Sequence, residues 1–481
     1  MAEMVLKPSR GDGKEANFIQ KFGRAFVRGD AFTKLSLLVW GLGYIGHGQL
    51  IKALLVTLVQ GLGLYFLGTS GIPALKKLGT LGTVQMEMQF NPVTLKNEVN
   101  NYDNSFAILL LSVIAMVIIV SLVVATMMVV QSNYLLQQQK AAGKKPNSFR
   151  QDINCYLNEK FYVTLLTLPV LGVVVFTIVP LFILIAVAFT NYDQQHMPPA
   201  ALFTWVGLAN FASLFGGQSL SMTFSYAFGK VLGWTLVWAF FATFTTFFGG
   251  VFLAMFINNK KTKCPRLWRT LFMITIAVPQ FVTLLLVRNF FSDAGICNTM
   301  MNNAGVTDLL KTIGLLGQSM DHIPFLTDQH WAKFMIIMIN IWVGIPYQML
   351  IATGVLMNIP SDILEASTID GASPLQCFIY IKLPYLLSVQ GPALVTDFVK
   401  NVNNFNVIYL LTQDVYITKD QAMASSSAKE VDLLVTWLFR LTQEQYNYKM
   451  AAVIGIMVFI ICAIFTLVCF RFINKKEATF S

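Results

Sequence analysis

Apolar residues run along this chain in long blocks separated by short polar stretches. A helix that crosses the hydrocarbon core of a bilayer needs about 20 such residues. Eight segments are long enough, near 50–68, 106–130, 162–190, 229–257, 270–291, 332–357, 385–412 and 450–471. The stretch 31–49 (AFTKLSLLVWGLGYIGHGQ) is also apolar, but it is rich in glycine and bracketed by Lys34 and Lys52. It reads as an interfacial segment or an extension of the first span, not as a ninth crossing. The pattern predicts an all-α polytopic membrane protein with about eight transmembrane helices. Its predicted parts are a cytosolic N-terminal arm with an interfacial segment (1–49), two helices joined by a short external loop and followed by a basic cytosolic loop (50–154), and a six-helix core (155–476).

Composition agrees with that class. Of 481 residues 55% are hydrophobic and 12% charged, and the mean hydropathy is +0.61, whereas a soluble domain carries about 25% charged residues. The net charge of +10 raises the question of nucleic acid, but the placement of the charge excludes it. No basic helix is interleaved with aromatics in the manner of a nucleic-acid reader. Instead the loop 258–269 holds Lys260, Lys261, Lys263, Arg266 and Arg269 without an acid, and 131–160 carries Lys140, Lys144, Lys145, Arg150 and Lys160. Both are predicted to be cytosolic. The stretch 191–229 has no lysine or arginine, and 292–330 sets Lys311 alone against Asp293, Asp308, Asp321 and Asp328, so both are predicted outside. Counting spans from these anchors places both termini in the cytosol of a cell membrane, with Arg471, Lys475 and Lys476 following the last span. Only the external loop 413–449, whose charges balance, gives no vote.

Enzyme chemistry finds little support. The six cysteines form no CxxC pair, the four histidines are scattered, and no G-x-x-x-x-G-K-[ST] phosphate loop occurs. No metal site, catalytic residue or disulfide framework is expected, and any ATP hydrolysis belongs to another polypeptide. The first thirty residues lack the apolar stretch of a cleavable signal peptide, so they read as a retained arm.

The polar insert between the sixth and seventh spans is built with unusual care. Residues 359–384 read IPSDILEASTIDGASPLQCFIYIKLP, and the topology places them in the cytosol. Ser361 or Asp362 is expected to cap a first short helix, with Asp362 and Glu365 at capping-box spacing. Asp370-Gly371 supplies the turn, since glycine tolerates positive φ. Ser373, Pro374 and Gln376 form the cap, first position and capping box of a second helix, which Pro384 is expected to stop. The small residues Ala366, Gly371 and Ala372 keep the turn free of bulk. Leu375, Phe378, Ile379 and Ile381 belong either to an amphipathic helix on the membrane surface or to a docking helix seated in a partner's groove.

The seventh span is the least apolar. In VTDFVKNVNNFNVIYLL (395–411), Asp397, Asn401 and Asn404 recur at helical spacing, with Lys400 beside them. Polar groups inside a span face the bundle interior or a water-filled cavity. They form either a binding surface or a helix–helix seam in which Asp397 and Lys400 neutralise each other. In the sixth span, Gly344-Ile345-Pro346 is expected to break or kink the helix.

These motifs together resemble those of binding-protein-dependent ABC importer permeases. The cytosolic insert matches that family's coupling loop at Glu365, Ala366, Asp370, Gly371, Ala372, Ile381, Leu383 and Pro384, with Ser367 where the family has alanine. WVGIPYQMLIATGVLMNIPSD (342–362), NVNNFNVIYLLT (401–412) and FTWVGLANF (203–211) resemble the MalF-type permease of maltose and oligosaccharide systems. The likeness covers roughly residues 155–475, and the short external loop near 69–105 resembles Gram-positive versions without a large external domain.

The resemblance implies half of a translocation pathway, completed by a second permease of the MalG type. It implies two copies of an ABC ATPase that bind ATP and Mg, an extracellular sugar-binding protein, and an oligosaccharide as substrate. No cofactor is implied in this chain. Glu365 would bond the ATPase, the alternative being a carboxylate that only caps its own helix. The family's maltose-contacting positions fall on Val343, Gly344, Tyr347, Asn401 and Asn404. Asp397 and Lys400 stand where the maltose permease has a small hydroxyl and an aromatic residue, which points to another oligosaccharide or to a site carried mostly by the partner permease. The rival reading is an ion-coupled secondary transporter, but the internal repeat expected of one is not visible.

Overall fold

The computed structural model describes residues 17–92, 95–216, 219–259 and 261–480. The first sixteen residues of the predicted arm and Lys260 lie outside the described residues, as do the side chains of Lys475 and Lys476. Among the described residues, seven helices are long and apolar enough to cross a membrane: Leu50–Lys77, Ser105–Ala141, Phe161–Val187, Thr223–Ile257, Gln329–Met357, Pro374–Thr412 and Tyr448–Ile473. The predicted span at 270–291 is a bent pair, Pro265–Ala277 and Gln280–Phe290, which meet at 90°. Its two arms have 13 and 11 residues, so each rises about 20 Å or less and neither alone covers the hydrocarbon core. Pro279 explains the corner, because it donates no backbone hydrogen bond and forces Val278 into an extended conformation. Counted as one bent span, the pair brings the total to eight. It is named the fifth span below, and the others are numbered around it.

The chain divides into two compact units, Met1–Trp205 and Val206–Ser481. In the first unit, the stretch read as interfacial forms two short helices, Ala31–Leu35 and Trp40–Gly46, too short to cross. Trp40 and Tyr44 pack with Ala53, Val129 and Leu136, and the Trp40 indole donates to Thr126 at 2.9 Å. Gly41 permits this approach, since a Cβ there would lie 2.1 Å from the Thr57 hydroxyl. The loop after the first span forms a hairpin of Met88–Asn91 with Lys96–Val99. Asp103 ties its base to the first span by accepting from Lys77 at 2.6 Å and from the Thr83 amide at 2.9 Å.

The second unit is centred where the fourth span crosses the sixth and seventh. Phe247, Val251, Ala254 and Ile257 of the fourth pack on Met349 and Ala352 of the sixth and Leu386 of the seventh. Small residues let the backbones meet, as is usual where membrane helices associate without a hydrophobic driving force. The loop 413–449 also makes contacts within itself. Asp432, 1% exposed, accepts from Arg440 at 3.0 Å and from the Lys429 amide at 2.7 Å. Burial pushes its carboxyl above the usual range against the pull of Arg440. Glu430 accepts two backbone N–H groups, of Lys419 and Asp420. Other charges of the loop pair outside it, Asp414 with Arg288 at 3.0 Å and Lys419 with Asp328 at 3.3 Å.

Candidate functional site

The insert between the sixth and seventh spans folds as a helix, a turn and a second helix. The first helix is Ser361–Ile369, but Pro360 occupies the cap position and no side chain caps it. Ser361 is already the first helical residue, and its hydroxyl turns to Asp362 at 3.2 Å. The expected cap and capping box at Ser361, Asp362 and Glu365 are therefore not formed. The fixed φ of proline starts the helix one residue earlier, with the Ile363 amide donating to the Pro360 carbonyl. Glu365 lies mid-helix and exposed, with no hydrogen bond or ion pair to any described residue.

The turn follows as expected. Asp370 ends the helix, Gly371 takes φ +71°, and the Ala372 amide reaches back to the Ser367 carbonyl at 2.9 Å. Ser373 and Gln376 form the capping box, the Ser373 amide donating to the Gln376 side chain at 2.8 Å. Ser367, the departure from the family's alanine, is buried inside the loop. Its hydroxyl donates to the Leu364 carbonyl at 2.8 Å and touches the Cys377 thiol, joining the two helices.

Pro384 does not stop the second helix. Pro374–Cys377 runs through a wide turn, Phe378–Lys382, directly into Leu383–Val402. In that turn the Leu383 amide donates to the Phe378 carbonyl, five residues back rather than four, so Pro384 falls in the first turn of the next segment, where no donor is needed. Ile381 and Leu383 are half-buried in this junction, while Ala366, Ile369 and Leu375 remain exposed. The consequence is mechanical: the apolar tip of the loop is one continuous helical rod with the seventh span.

That rod carries the polar residues. Asp397 accepts from the Gln348 amide of the sixth span at 2.8 Å. The neutralising pair with Lys400, one of the two alternatives above, is not formed, and Lys400 is exposed with no ion pair to any described residue. The Asn401 side-chain amide donates to Thr243 of the fourth span at 3.0 Å, and the Asn401 backbone carbonyl accepts from the Trp238 indole at 3.0 Å. Helical spacing holds only to Asn401. The helix breaks at Asn403, and Asn404 caps the next segment, Phe405–Thr412, by accepting from the Val407 amide. Asn404 stays beside Asn401, 3.5 Å between their side chains.

The sixth span supplies the facing wall. Gly344-Ile345-Pro346 does not break it, since Gln329–Met357 is one helix with Pro346 inside. The proline leaves the carbonyl four residues before it without a donor, while the turns on either side remain bonded. Gly344 allows contact with Thr246, which a Cβ would meet at 2.8 Å. Val343 is half-buried, and Tyr347 is 52% exposed. Sequence reasoning missed Gln348, Thr243 and Trp238, which hold Asp397 and Asn401. A signal for Gln348 was available, because it lies four residues after Gly344 on the same face of the helix.

Residues 246–477 match the family model described as binding-protein-dependent transport system inner membrane component. The maltodextrin transport system permease protein MdxF of Bacillus subtilis (strain 168) is 32% identical over 90% of this chain and 93% of its own length. The galactooligosaccharides transport system permease protein GanP of the same organism is 32% identical over 84% and 93%. Among solved structures, a bacterial ABC transporter involved in the import of the acidic polysaccharide alginate is 21% identical, with a TM-score of 0.48 over 68% of this chain and 99% of that one.

Proposed function

This chain belongs to the family of binding-protein-dependent transport inner membrane components, and from that membership we propose that it is the permease subunit of an ATP-driven oligosaccharide importer. One observation carries the reading: an exposed docking loop continues without interruption, as helix, into a span lined with carboxylate and amide groups. A push on the loop tip is delivered to that polar face. The partners are a second permease of the MalG type, two copies of an ATPase that bind ATP and Mg, and an external sugar-binding protein. This multi-pass chain then has both termini and the loop 359–384 in the cytosol, while hydrolysis takes place in the ATPase. The ion-coupled alternative has no support from the relatives named above.

Substrate passes along Val343, Gly344 and Tyr347 on one side and Asp397, Lys400, Asn401 and Asn404 on the other. Sugars are held by planar amide and carboxylate groups together with aromatic rings. Both kinds are available here, in Asn401, Asp397 and the exposed ring of Tyr347.

The test is uptake into proteoliposomes holding the whole transporter, with labelled maltotriose and a labelled galacto-oligosaccharide presented on the binding protein. Uptake is expected to require internal ATP; uptake that ignores ATP but collapses with an ionophore overturns the reading. In the same assay Asp397→Ala is expected to change the preference between the two sugars by about tenfold, since a site built to hydrogen-bond discriminates strongly. An equal loss for both sugars would mean that Asp397 serves only to hold Gln348.

A further inference from the structure

The seventh span carries one polar side chain that neither the docking loop nor the contacts at Asp397 and Asn401 use. Gln390 is 4% exposed, and neither its Oε1 nor its Nε2 has a hydrogen-bond partner among the described residues. Its direction follows from its neighbours. Leu386, one turn before it, belongs to the buried cluster that includes Phe247, Val251 and Met349, Leu394, one turn after it, packs against that cluster, and residues four apart share a helical face. Gln390 therefore projects into the contact between the seventh span and the fourth and sixth. Asp397 and Asn401 continue that face, Asp397 lying about 10 Å further along the helix.

Gly391 and Pro392 follow at once, inside the same helix. The proline removes the bond its nitrogen would donate to the Ser388 carbonyl, and glycine adds backbone freedom. The helix is weakest where the orphan amide sits, between the docking loop and the polar face. A buried amide without a partner disfavours the conformation that buries it, and a leucine would suit this contact better. Its polarity has a use only when the contact opens.

We propose that Gln390 is a further substrate-contacting residue, the rung of the path on the cytosolic side of Asp397. The inference rests on the oligosaccharide reading above. When the seventh span parts from the fourth and sixth, the amide meets the hydroxyl groups of a passing neutral sugar, donating through Nε2 and accepting through Oε1.

The experiment compares wild type, Gln390→Leu and Gln390→Asn in the complete transporter, using labelled maltotriose and a labelled galacto-oligosaccharide as probes. Gln390→Leu is expected to survive heating at least as well as wild type, because it removes an unsatisfied amide. It should import sugar about tenfold more slowly, and Gln390→Asn should recover much of the rate. Wild-type transport by Gln390→Leu overturns the proposal. So does a loss of heat stability in Gln390→Leu, which would reveal a structural partner in the resting state. Gln390→Cys, with the six native cysteines replaced by serine, gives a reading independent of uptake. It should resist a small charged thiol reagent at rest and react during turnover, and continued shielding overturns the proposal. Failure of the importer reading shows instead in wild type, as uptake indifferent to ATP. The ratio of variant to wild type still decides the role of Gln390 under any energy source.

Discussion

Glu365→Ala is expected to abolish ATP-driven uptake while the amount of transporter in the membrane stays at the wild-type level. The separation of the two readouts follows from where the carboxylate sits. It is exposed in the middle of Ser361–Ile369, caps nothing and pairs with no described residue, so its removal leaves the fold of this chain intact. Its proposed partner lies in the ATPase, and losing one side of a hydrogen-bonded charge pair at an interface costs about 2–5 kcal/mol. Uptake should fall about 100-fold on that scale, and Glu365→Gln, which keeps the acceptor oxygen, should retain more than alanine does. Uptake by Glu365→Ala within about threefold of wild type would be worth well under 1 kcal/mol and would remove Glu365 from the coupling machinery. A parallel drop in membrane level would instead give the residue a structural role that its exposure argues against.

Much of this was readable from residue order, and the failures share a cause. The spans, the Gly371 turn and the Ser373–Gln376 capping box depend on local chemistry, and local chemistry is what a sequence displays. Pro384 misled because proline both ends helices and begins them, and its role depends on whether a first turn or an interior turn falls on it. Of the break or kink expected at Pro346 the break does not occur, because the helix keeps its other bonds and Pro346 is buried. Asp397 presented the opposite difficulty. Lys400 is the nearest opposite charge in sequence, yet the actual partner is Gln348, 49 residues away on another span. Nothing within the seventh span could have named it. The same holds for Asn401 and Thr243, which are 158 residues apart.

The Gly249-Gly250 pair of the fourth span shows how finely that long-range information is set. Both glycines face the sixth span, and both would crowd it with a Cβ, but against different atoms. At 249 the new atom meets the tip of the Ile345 side chain at 2.6 Å, and a flexible chain can turn aside. At 250 it lies 2.7 Å from the Gln348 carbonyl carbon and 2.8 Å from the Met349 nitrogen. Backbone inside a membrane helix cannot yield without parting the two spans. Gly250→Ala is therefore expected to destabilise the transporter by about 3 kcal/mol or more, at the upper end of overpacking, and Gly250→Val further still. Gly249→Ala should stay within about 1 kcal/mol of wild type. The fraction of transporter surviving a graded heat challenge in detergent reads both. The displaced segment carries Gln348, so the surviving Gly250→Ala transporter should also lose sugar preference in the same direction as Asp397→Ala. If Gly250→Ala is as stable as Gly249→Ala, the crossing is looser than these distances allow, and the route from helix contact to the Gln348–Asp397 bond fails with it.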